Sequence, residues 1–458
     1  MSKHTPKHTS ISSKVPISPK VPEPTDRSAS QTLISRRGFL YGAVGVGTLA
    51  AVGVGAAVTK ALPDVGDPGI SYLEVPDNAL TSLAELDVVD DYEDAVTLLG
   101  TFELPYGTLV WVNDDDLAAC LLPTELGSPL AQIGLLLLGS GTLSTVVQQA
   151  VGDDERFEIY DVRATSKGMI WTEANVLEGT WRIYAAPISN ATPGSPVLLE
   201  EGDDAYETPT LAVVGNRAFW QVMPKLPNDQ GLASRLMGAT FGEDNASCVF
   251  ESQRRMCTAP YATQDSVVIT PRADTSSVYY QLTNVDAKSG AILDQLTLPR
   301  AMTPLEAGYG VNGFMFSFPD IYDYGGGISN LGTYTPMEKP ADGDYSGSKW
   351  FGFARTPTAA PAWCQDLLIV KSSYSVCGVD LKAGSYFAID VDDGADTYGD
   401  YLATTGTRDS FVTYANIDHT PVNGEAKHVC RVKLWRPLTD EERKAREAEK
   451  ADEETVEA

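Results

Sequence analysis

Seven strand-like segments recur along the chain at nearly constant intervals, and this repetition limits the possible folds more than any other feature. Each segment begins at a turn-forming or polar residue and continues as a run rich in β-branched and aromatic residues. The central residues of the runs are Trp111, Trp171, Trp220, Val268, Phe316, Ile369 and Tyr414, spaced 60, 49, 48, 48, 53 and 45 positions apart. A period of about 50 residues leaves room for about four short strands in each unit.

Such a period is typical of a β-propeller, in which four-stranded sheets surround a common axis. The sequence therefore predicts an all-β fold, a seven-bladed β-propeller, over residues 70–438. The longer first interval is interpreted as an insertion within residues 123–129. The last unit lacks an outermost strand, and we expect residues 70–88 to supply it, because an open ring would expose two sheet edges. Two packed β-sandwiches are the alternative, which seven evenly spaced copies do not favour.

The N-terminal residues carry a second pattern. An uncharged stretch rich in glycine, alanine and valine follows Ser35, Arg36, Arg37, Phe39 and Leu40. This pattern resembles the bacterial twin-arginine (Tat) export signal at every position except the last, where Tyr41 replaces lysine. The resemblance implies that the Tat translocase exports the folded body from the cytoplasm.

The sequence divides into four segments around this signal. We expect residues 1–34, rich in lysine, proline and serine, to be a disordered cytoplasmic leader, and residues 439–458 to be a charged flexible tail. Residues 35–60 form the Tat signal, whose uncharged part is long enough to span a membrane as one helix. Cleavage and retention as a transmembrane anchor both remain open. In either case the propeller is extracytoplasmic, secreted or anchored to the membrane by its N-terminal helix.

The repeated strands also resemble those of TolB-type and related bacterial propellers, in which a turn residue precedes an aromatic or β-branched strand in each blade. The resemblance covers about residues 70–438 and implies the architecture. The S-P-D-G turn, the W-D signature and the kelch signature of such families are missing from this sequence.

Charge is divided unevenly between the leader and the body. Residues 1–60 carry a net charge of +6, so the remaining residues carry −34 of the total of −28. An acidic body is repelled by phosphate backbones, which excludes nucleic acid as a partner. It suits cations, cationic peptides or neutral ligands such as glycans. A surface that only keeps an exported protein soluble is the alternative interpretation.

Candidate catalytic groups are few. Nucleophilic catalysis usually needs a histidine base, and only His419 and His428 lie in the body. We consider His419 either a base or metal ligand, or an exposed polar residue of a loop. The acidic run from Asp390 to Asp396 resembles the start of a Ca²⁺ loop but lacks its closing glutamate, so a solvated turn is the alternative. Apart from this Ca²⁺ hypothesis, we expect no cofactor.

The loops that follow every second strand should emerge on one face of a propeller. With the predicted strands, this face would gather acidic and aromatic side chains, chiefly Asp114, Asp116, Tyr322, Asp323, Tyr324 and His419. Glu173, Asn175, Asp229, Asp274, Tyr374 and Asp418 would join them. Such a face suits an extracellular protein, a cationic peptide, a glycan or Ca²⁺. Local packing of the tyrosines and solvation of the acids is the alternative.

Six cysteines in an exported body favour disulfides, because the compartment is oxidising. The expected pairs are Cys120 with Cys430, which ring closure would make neighbours, Cys364 with Cys377, and Cys248 with Cys257. Buried free thiols are the alternative.

These patterns favour a non-enzymatic extracytoplasmic propeller that binds a ligand or a protein, and they leave enzymatic activity open. The alternative function is a secreted propeller hydrolase or lyase acting on glycans. The implied partners are the Tat translocase during export and the membrane, if the N-terminal segment is not cleaved.

Overall fold

The computed structural model describes residues 70–457, with gaps at 125–128, 130, 227–230, 274–276, 319–327, 329–330, 355–358 and 420–426. The predicted leader and the Tat residues Ser35, Arg36, Arg37, Phe39 and Leu40 lie outside the described residues, as do Tyr322, Asp323 and Tyr324. The described residues form seven hydrogen-bonded sheets that follow each other around a ring.

Six sheets are blades built on four consecutive antiparallel strands, which we call inner, second, third and outer. Blade 1 comprises Leu109–Val112, Leu117–Pro123, Ala131–Leu137 and Thr142–Val147. Blade 2 comprises Glu158–Thr165, Gly168–Asn175, Thr180–Ser189 and Val197–Gly202, with the short strand Thr192–Pro193 before the last. Blade 3 comprises Thr210–Val214, Arg217–Val222, Ser234–Thr240 and Ser247–Ser252.

Blade 4 comprises Tyr261–Ala262, Ser266–Ile269, Gln281–Asp286 and Ile292–Thr297. Blade 5 comprises Glu306–Gly310, Gly313–Phe318, Gly332–Pro336 and Trp350–Phe353, and blade 6 comprises Ala362–Cys364, Leu367–Lys371, Val376–Asp380 and Ser385–Ala388. The seventh sheet, which we call the closing sheet, comprises Tyr401–Leu402, Phe411–His419, Lys427–Pro437 and Val96–Pro105. Short 3₁₀ helices lie at Asp77–Ala79, Leu83–Glu85, Tyr92–Asp94, Asp153–Glu155 and Ala341–Gly343.

The second strands are buried on both faces, which explains why they read as unbroken apolar runs. In Gly168–Asn175 every residue is buried. Successive side chains point to opposite faces of a strand, so Trp171 packs in the core between blades 1 and 2, and Ile170 packs in the core between blades 2 and 3. The hydrophobic cores therefore lie between neighbouring sheets, and each sheet is held by the two beside it.

The predicted seven-bladed propeller preceded by a transmembrane segment is wrong as stated. Six blades are built from consecutive strands, whereas the closing sheet is a composite of three C-terminal strands and one N-terminal strand. The last unit has no outer strand of its own, and its edge would be open without the N-terminal strand. No helix among the described residues is long and apolar enough to cross a membrane, and residues 35–60 lie outside them.

The strand that closes the ring is not the predicted one. Val96–Pro105 pairs antiparallel with Lys427–Pro437 along its whole length. Within the predicted segment 70–88, Leu80–Ser82 adds a parallel strand to the outer edge of blade 5, and Asp87–Val88 does the same at blade 6. These pieces of three and two residues hold the N-terminal segment against the outside of the ring.

The outer edges of the sheets explain where this segment can pair. In blades 1 to 4 the register between the third and outer strands shifts at a β-bulge, and the closing sheet has a similar shift. The outer strands of blades 5 and 6 are regular. Bulges twist an edge away from further pairing, so the two regular edges are the ones that accept an added strand.

The first repeat unit was assigned to the wrong strand. Trp111 lies in the inner strand of blade 1, whereas the six other central residues lie in second strands. The second strand of blade 1 is Leu117–Pro123, which contains no aromatic residue. The first interval of 60 residues therefore reflects this shift by one strand and needs no insertion at 123–129.

The C-terminal residues form a helix, Asp440–Glu457, in place of the expected flexible tail. Its start is fixed by Arg436, whose guanidinium donates two hydrogen bonds to the Glu442 carboxylate at 2.6 and 2.7 Å. Further along, Arg446 pairs with Glu93 and Lys450 pairs with Asp94. Ion pairs, rather than an apolar stripe, thus hold this helix against the 3₁₀ turn before the closing strand.

No two of the six cysteines lie within disulfide distance. Cys120 and Cys430 are buried in the same core between blade 1 and the closing sheet, as ring closure predicts, but they are not bonded. Cys364 and Cys377 lie on either side of the second strand of blade 6 and belong to different cores. The structure therefore does not support the predicted disulfides: Cys248 is exposed, while the Cys257 thiol donates to the Pro304 carbonyl oxygen at 3.0 Å.

Candidate functional site

The loops of the ring divide between two faces, because neighbouring strands in each sheet run in opposite directions. The upper face consists of the loops from second to third strands and the connections from each outer strand to the next inner strand. We call lower face the loops from inner to second strands and from third to outer strands.

The structure does not bring the predicted site residues together. Asp114 and Asp116 follow the inner strand of blade 1 and lie on the lower face, whereas His419 ends the second strand of the closing sheet and lies on the upper face. The separation is a direct result of the shifted first unit. Tyr322, Asp323 and Tyr324 belong to the undescribed loop 319–327, and Asp229 and Asp274 are likewise undescribed.

Two of the predicted acidic residues have structural partners. The Asp114 carboxylate accepts hydrogen bonds from the backbone N–H of Asp116 and Leu117, both at 3.1 Å, and from the backbone N–H of Ser166 in blade 2. The buried Glu173 accepts three bonds, from Trp171 Nε1 and from the N–H groups at the start of the connection between blades 1 and 2. Both carboxylates therefore fix turns between neighbouring blades.

Protein atoms meet across the axis of the ring. The Tyr261 hydroxyl, from the inner strand of blade 4, donates to the Pro361 carbonyl oxygen and accepts from the Gly406 N–H, both at 2.8 Å. Gly406 lies between the first and second strands of the closing sheet. The buried Arg408, two positions further on, donates to the carbonyl oxygen of Asn113 in blade 1. Burial lowers the pKa of Arg408, while Asp115 and Asp114 oppose that change. At this level the axis is filled by contacts between sheets.

The acidic run from Asp390 to Asp400 connects blade 6 to the closing sheet on the upper face. Its carboxylates find cations within the protein: Asp392 pairs with Lys433 at 2.9 Å and with Arg431 at 3.1 Å. The buried Lys371 ammonium donates to the carbonyl oxygens of Tyr374 at 3.0 Å and Tyr398 at 2.7 Å. Carboxylate oxygens are ligands that Ca²⁺ uses, and at Asp392 of the proposed Ca²⁺ loop these oxygens pair with side-chain cations.

No group of three or more histidine, cysteine or acidic side chains suited to hold a metal ion occurs among the described residues.

Asp400 is the most perturbed carboxyl of this region. Only 1% of the residue is exposed, and burial raises the pKa of its carboxyl from the ordinary 3.8 to about 6. Lys433 and Lys371 lower that pKa and Asp392 raises it, so burial outweighs the two cations. A sequence pattern cannot reveal this, because Lys371 and Lys433 come from strands 29 positions before and 33 positions after the aspartate.

Exposed large apolar side chains are distributed unevenly over the ring. Seven lie on upper-face loops, and we call them the upper surface: Val151, Val176, Leu177, Leu226, Val278, Tyr374 and Tyr398. Six more lie along the outer edges, and the described lower-face loops present none. Leu177, at the tip of the second loop of blade 2, is 87% exposed. Of these seven residues, Tyr374 alone was predicted from the sequence to lie on a binding face. The sequence signal of the other six is an apolar residue within an otherwise polar loop.

A groove with a volume of about 380 Å³ lies between blades 1 and 2. Its lining is mainly apolar and includes Val146, Val147, Met169, Trp171 and Pro196, with Gln148 and Gln149 as polar members. Val151 of the upper surface also lines it, so the groove continues the apolar surface down the side of the ring.

No protein-family model matches this sequence, and no curated protein matches it. Solved structures similar to it include a prolyl endopeptidase, at 11% identity and a TM-score of 0.44 over 69% of this chain and 46% of that one. The β-propeller domain of the Trilobed protease from Pyrococcus furiosus is similar at 11% identity and a TM-score of 0.38, over 59% of this chain and 84% of that one. An oligogalacturonate lyase in complex with manganese is similar at 9% identity and a TM-score of 0.40, over 76% of this chain and 93% of that one. The chain thus spans less than half the length of the endopeptidase. This likeness goes no further than the fold, which rests on the sheet topology.

Proposed function

We propose that this protein is an exported, non-enzymatic propeller that binds a protein partner through its upper surface. The observation that carries this proposal is the concentration of exposed leucine, valine and tyrosine on upper-face loops, against none on the described lower-face loops. Large exposed apolar side chains that cluster on one face mark interaction surfaces, and loops held by a rigid scaffold are the usual place for them.

Burial of these side chains by a partner would supply the binding energy. A leucine or valine that becomes fully buried contributes about 1.5–3 kcal/mol. Leu177 and Leu226 are each exposed and project from neighbouring blades 2 and 3. We therefore expect the burial of both leucines to contribute to the affinity.

Variants of the exported full-length protein test the proposal. Cells that produce tagged wild type, the Leu177→Asp/Leu226→Asp double variant or Leu198→Asp are treated with a cross-linker before purification. Leu198 is the matched control, because it is 42% exposed but lies on the outer strand of blade 2. We expect one discrete cross-linked species in the wild type and in the control, and its loss in the double variant. A species that the double variant retains in full would contradict the proposal.

Export itself is supported by the resemblance of the N-terminal residues to a Tat signal. Replacement of both Arg36 and Arg37 by lysine should leave the protein in the cytoplasm, because the translocase recognises the arginine pair. Cell fractionation measures this directly. Export of the double-lysine variant at the wild-type level would rule out the Tat route.

A secreted hydrolase or lyase that acts on glycans is the second candidate, and Asp400 is the observation that favours it. A carboxyl with a pKa of about 6 can act as a general acid near neutral pH. We place this function second because Asp400 is almost fully buried in this conformation. Release of reducing ends from a panel of polysaccharides by the wild type, lost in Asp400→Asn, would support it. Wild-type protein without such activity would exclude those substrates.

A further inference from the structure

Two exposed tyrosines lie on neighbouring backbone segments of the upper face. Tyr374 lies in the second loop of blade 6 and is 47% exposed, and Tyr398 lies in the connection to the closing sheet and is 54% exposed. The Lys371 ammonium bonds to the carbonyl oxygens of both, at 3.0 and 2.7 Å. The two backbones are therefore no more than about 6 Å apart at these oxygens.

The backbone around the pair is tightly constrained. Gly399 follows Tyr398 with a φ of +63°, and a Cβ atom at this glycine would lie 2.1 Å from the Tyr374 carbonyl oxygen. The N–H of Asp400 donates to the same oxygen at 3.0 Å. The Tyr398 ring is also backed by Tyr401, with ring centres 6.3 Å apart. A ligand at these tyrosines would therefore meet a backbone that is already ordered.

The charges beside the tyrosines are arranged in two layers. Asp392 and Asp400 face the protein. Lys433 forms an ion pair with Asp392 at 2.9 Å and lowers the pKa of Asp400. Asp390 and Asp393 are exposed on the same segment. Asp418, whose backbone N–H donates to the Gly394 carbonyl oxygen, also has an exposed carboxylate. The inward-facing Asp392 is thus paired with Lys433, whereas the exposed charges at Asp390 and Asp393 are negative.

We propose that Tyr374 and Tyr398 hold a lysine or arginine side chain of the protein partner, with Asp393 as a neighbouring counter-charge. This inference rests on the proposed function and names the chemistry of the partner at one point of the upper surface. A cation is attracted to the faces of aromatic rings, and the exposed carboxylates add attraction at longer range. The partner segment is therefore basic as well as apolar.

Titration of the purified full-length protein with a fluorescent hexa-arginine peptide tests this inference. Replacement of both tyrosines by alanine should weaken binding about tenfold or more, and replacement of both by phenylalanine should preserve it, because the ring faces attract the cation. Asp393→Asn should weaken binding and reduce its dependence on salt. Leu198→Ala, on the outer strand of blade 2, is the control that should leave peptide binding unchanged. Both tyrosines are exposed, so the variants should fold, and their thermal unfolding confirms this.

Two results would overturn the inference. Equal binding of hexa-arginine by the wild type and the double alanine variant would show attraction to the acidic body alone. Binding of a neutral oligosaccharide such as cellohexaose, without binding of hexa-arginine, would assign the tyrosine pair to sugars. Neither result affects the cross-linking experiment on Leu177 and Leu226, so the failure of this inference and the failure of the proposed function are separate observations.

Discussion

Asp400 should make the protein less stable at neutral pH than at acidic pH. Burial raises the pKa of its carboxyl from 3.8 to about 6, and the nearby Lys433 and Lys371 offset only part of that effect. A carboxyl that holds its proton more tightly in the folded state loses stability as the pH rises from its unfolded pKa through its folded pKa. The whole change corresponds to about 3 kcal/mol, of which about 2 kcal/mol develops between about pH 4.5 and about pH 8.

Urea unfolding of the wild type, Asp400→Asn and Asp393→Asn at these two pH values measures the effect. The asparagine at 400 cannot ionise, so the free energy of unfolding of that variant should fall about 2 kcal/mol less than that of the wild type between the two pH values. Asp393 is exposed on the same segment, and its variant should follow the wild type. The reasoning is refuted if Asp400→Asn shows the same pH dependence as the wild type, because the buried carboxyl would then not be the titrating group.

The other predictions concern packing, the axis and the thiols. Gly310→Ala should lower the free energy of unfolding by about 1–3 kcal/mol, because its Cβ would lie 1.9 Å from Cδ1 of Trp363. Gly139→Ala should change the free energy of unfolding little, because no atom lies within 4 Å of its Cβ. Tyr261→Phe removes the hydroxyl that joins three sheets at the axis and should lower the free energy of unfolding by about 1–3 kcal/mol. A wild-type denaturation midpoint in Gly310→Ala or in Tyr261→Phe would contradict the corresponding contact. Exported protein that is unfolded without reductant should react with a thiol reagent at all six cysteines, and fewer reactive thiols would reveal a disulfide.

The repeat could be recognised from the sequence because the second strands are buried on both faces. Trp171 and Trp220 are fully buried at the centre of such strands, and their surroundings demand a continuous apolar run. In blade 1 this signal is displaced, because the second strand consists of small and aliphatic residues while the aromatic Trp111 lies in the inner strand. The shift of one strand then moved Asp114 to the wrong face.

The closing strand and the site depend on contacts between distant parts of the chain. Val96–Pro105 closes the ring through backbone hydrogen bonds, which any alternating segment of similar length could offer. Nothing in the local sequence of Lys371 indicates that its ammonium joins two carbonyl groups of the upper face. An acidic run is available to a metal ion only where side-chain cations do not already pair with its carboxylates. Lys433 and Arg431, which pair with Asp392, are distant from it in the sequence.

Site-specific photo-cross-linking can determine which face of the ring contacts the partner. A photoreactive amino acid is introduced in turn at Leu177, on the upper face of blade 2, and at Lys167, exposed on the lower face of the same blade. After irradiation of cells that export the protein, the account predicts that position 177 forms a discrete adduct with one protein and that position 167 forms none. An adduct of equal yield at position 167, or one formed there alone, would contradict the assignment of the upper surface as the binding face.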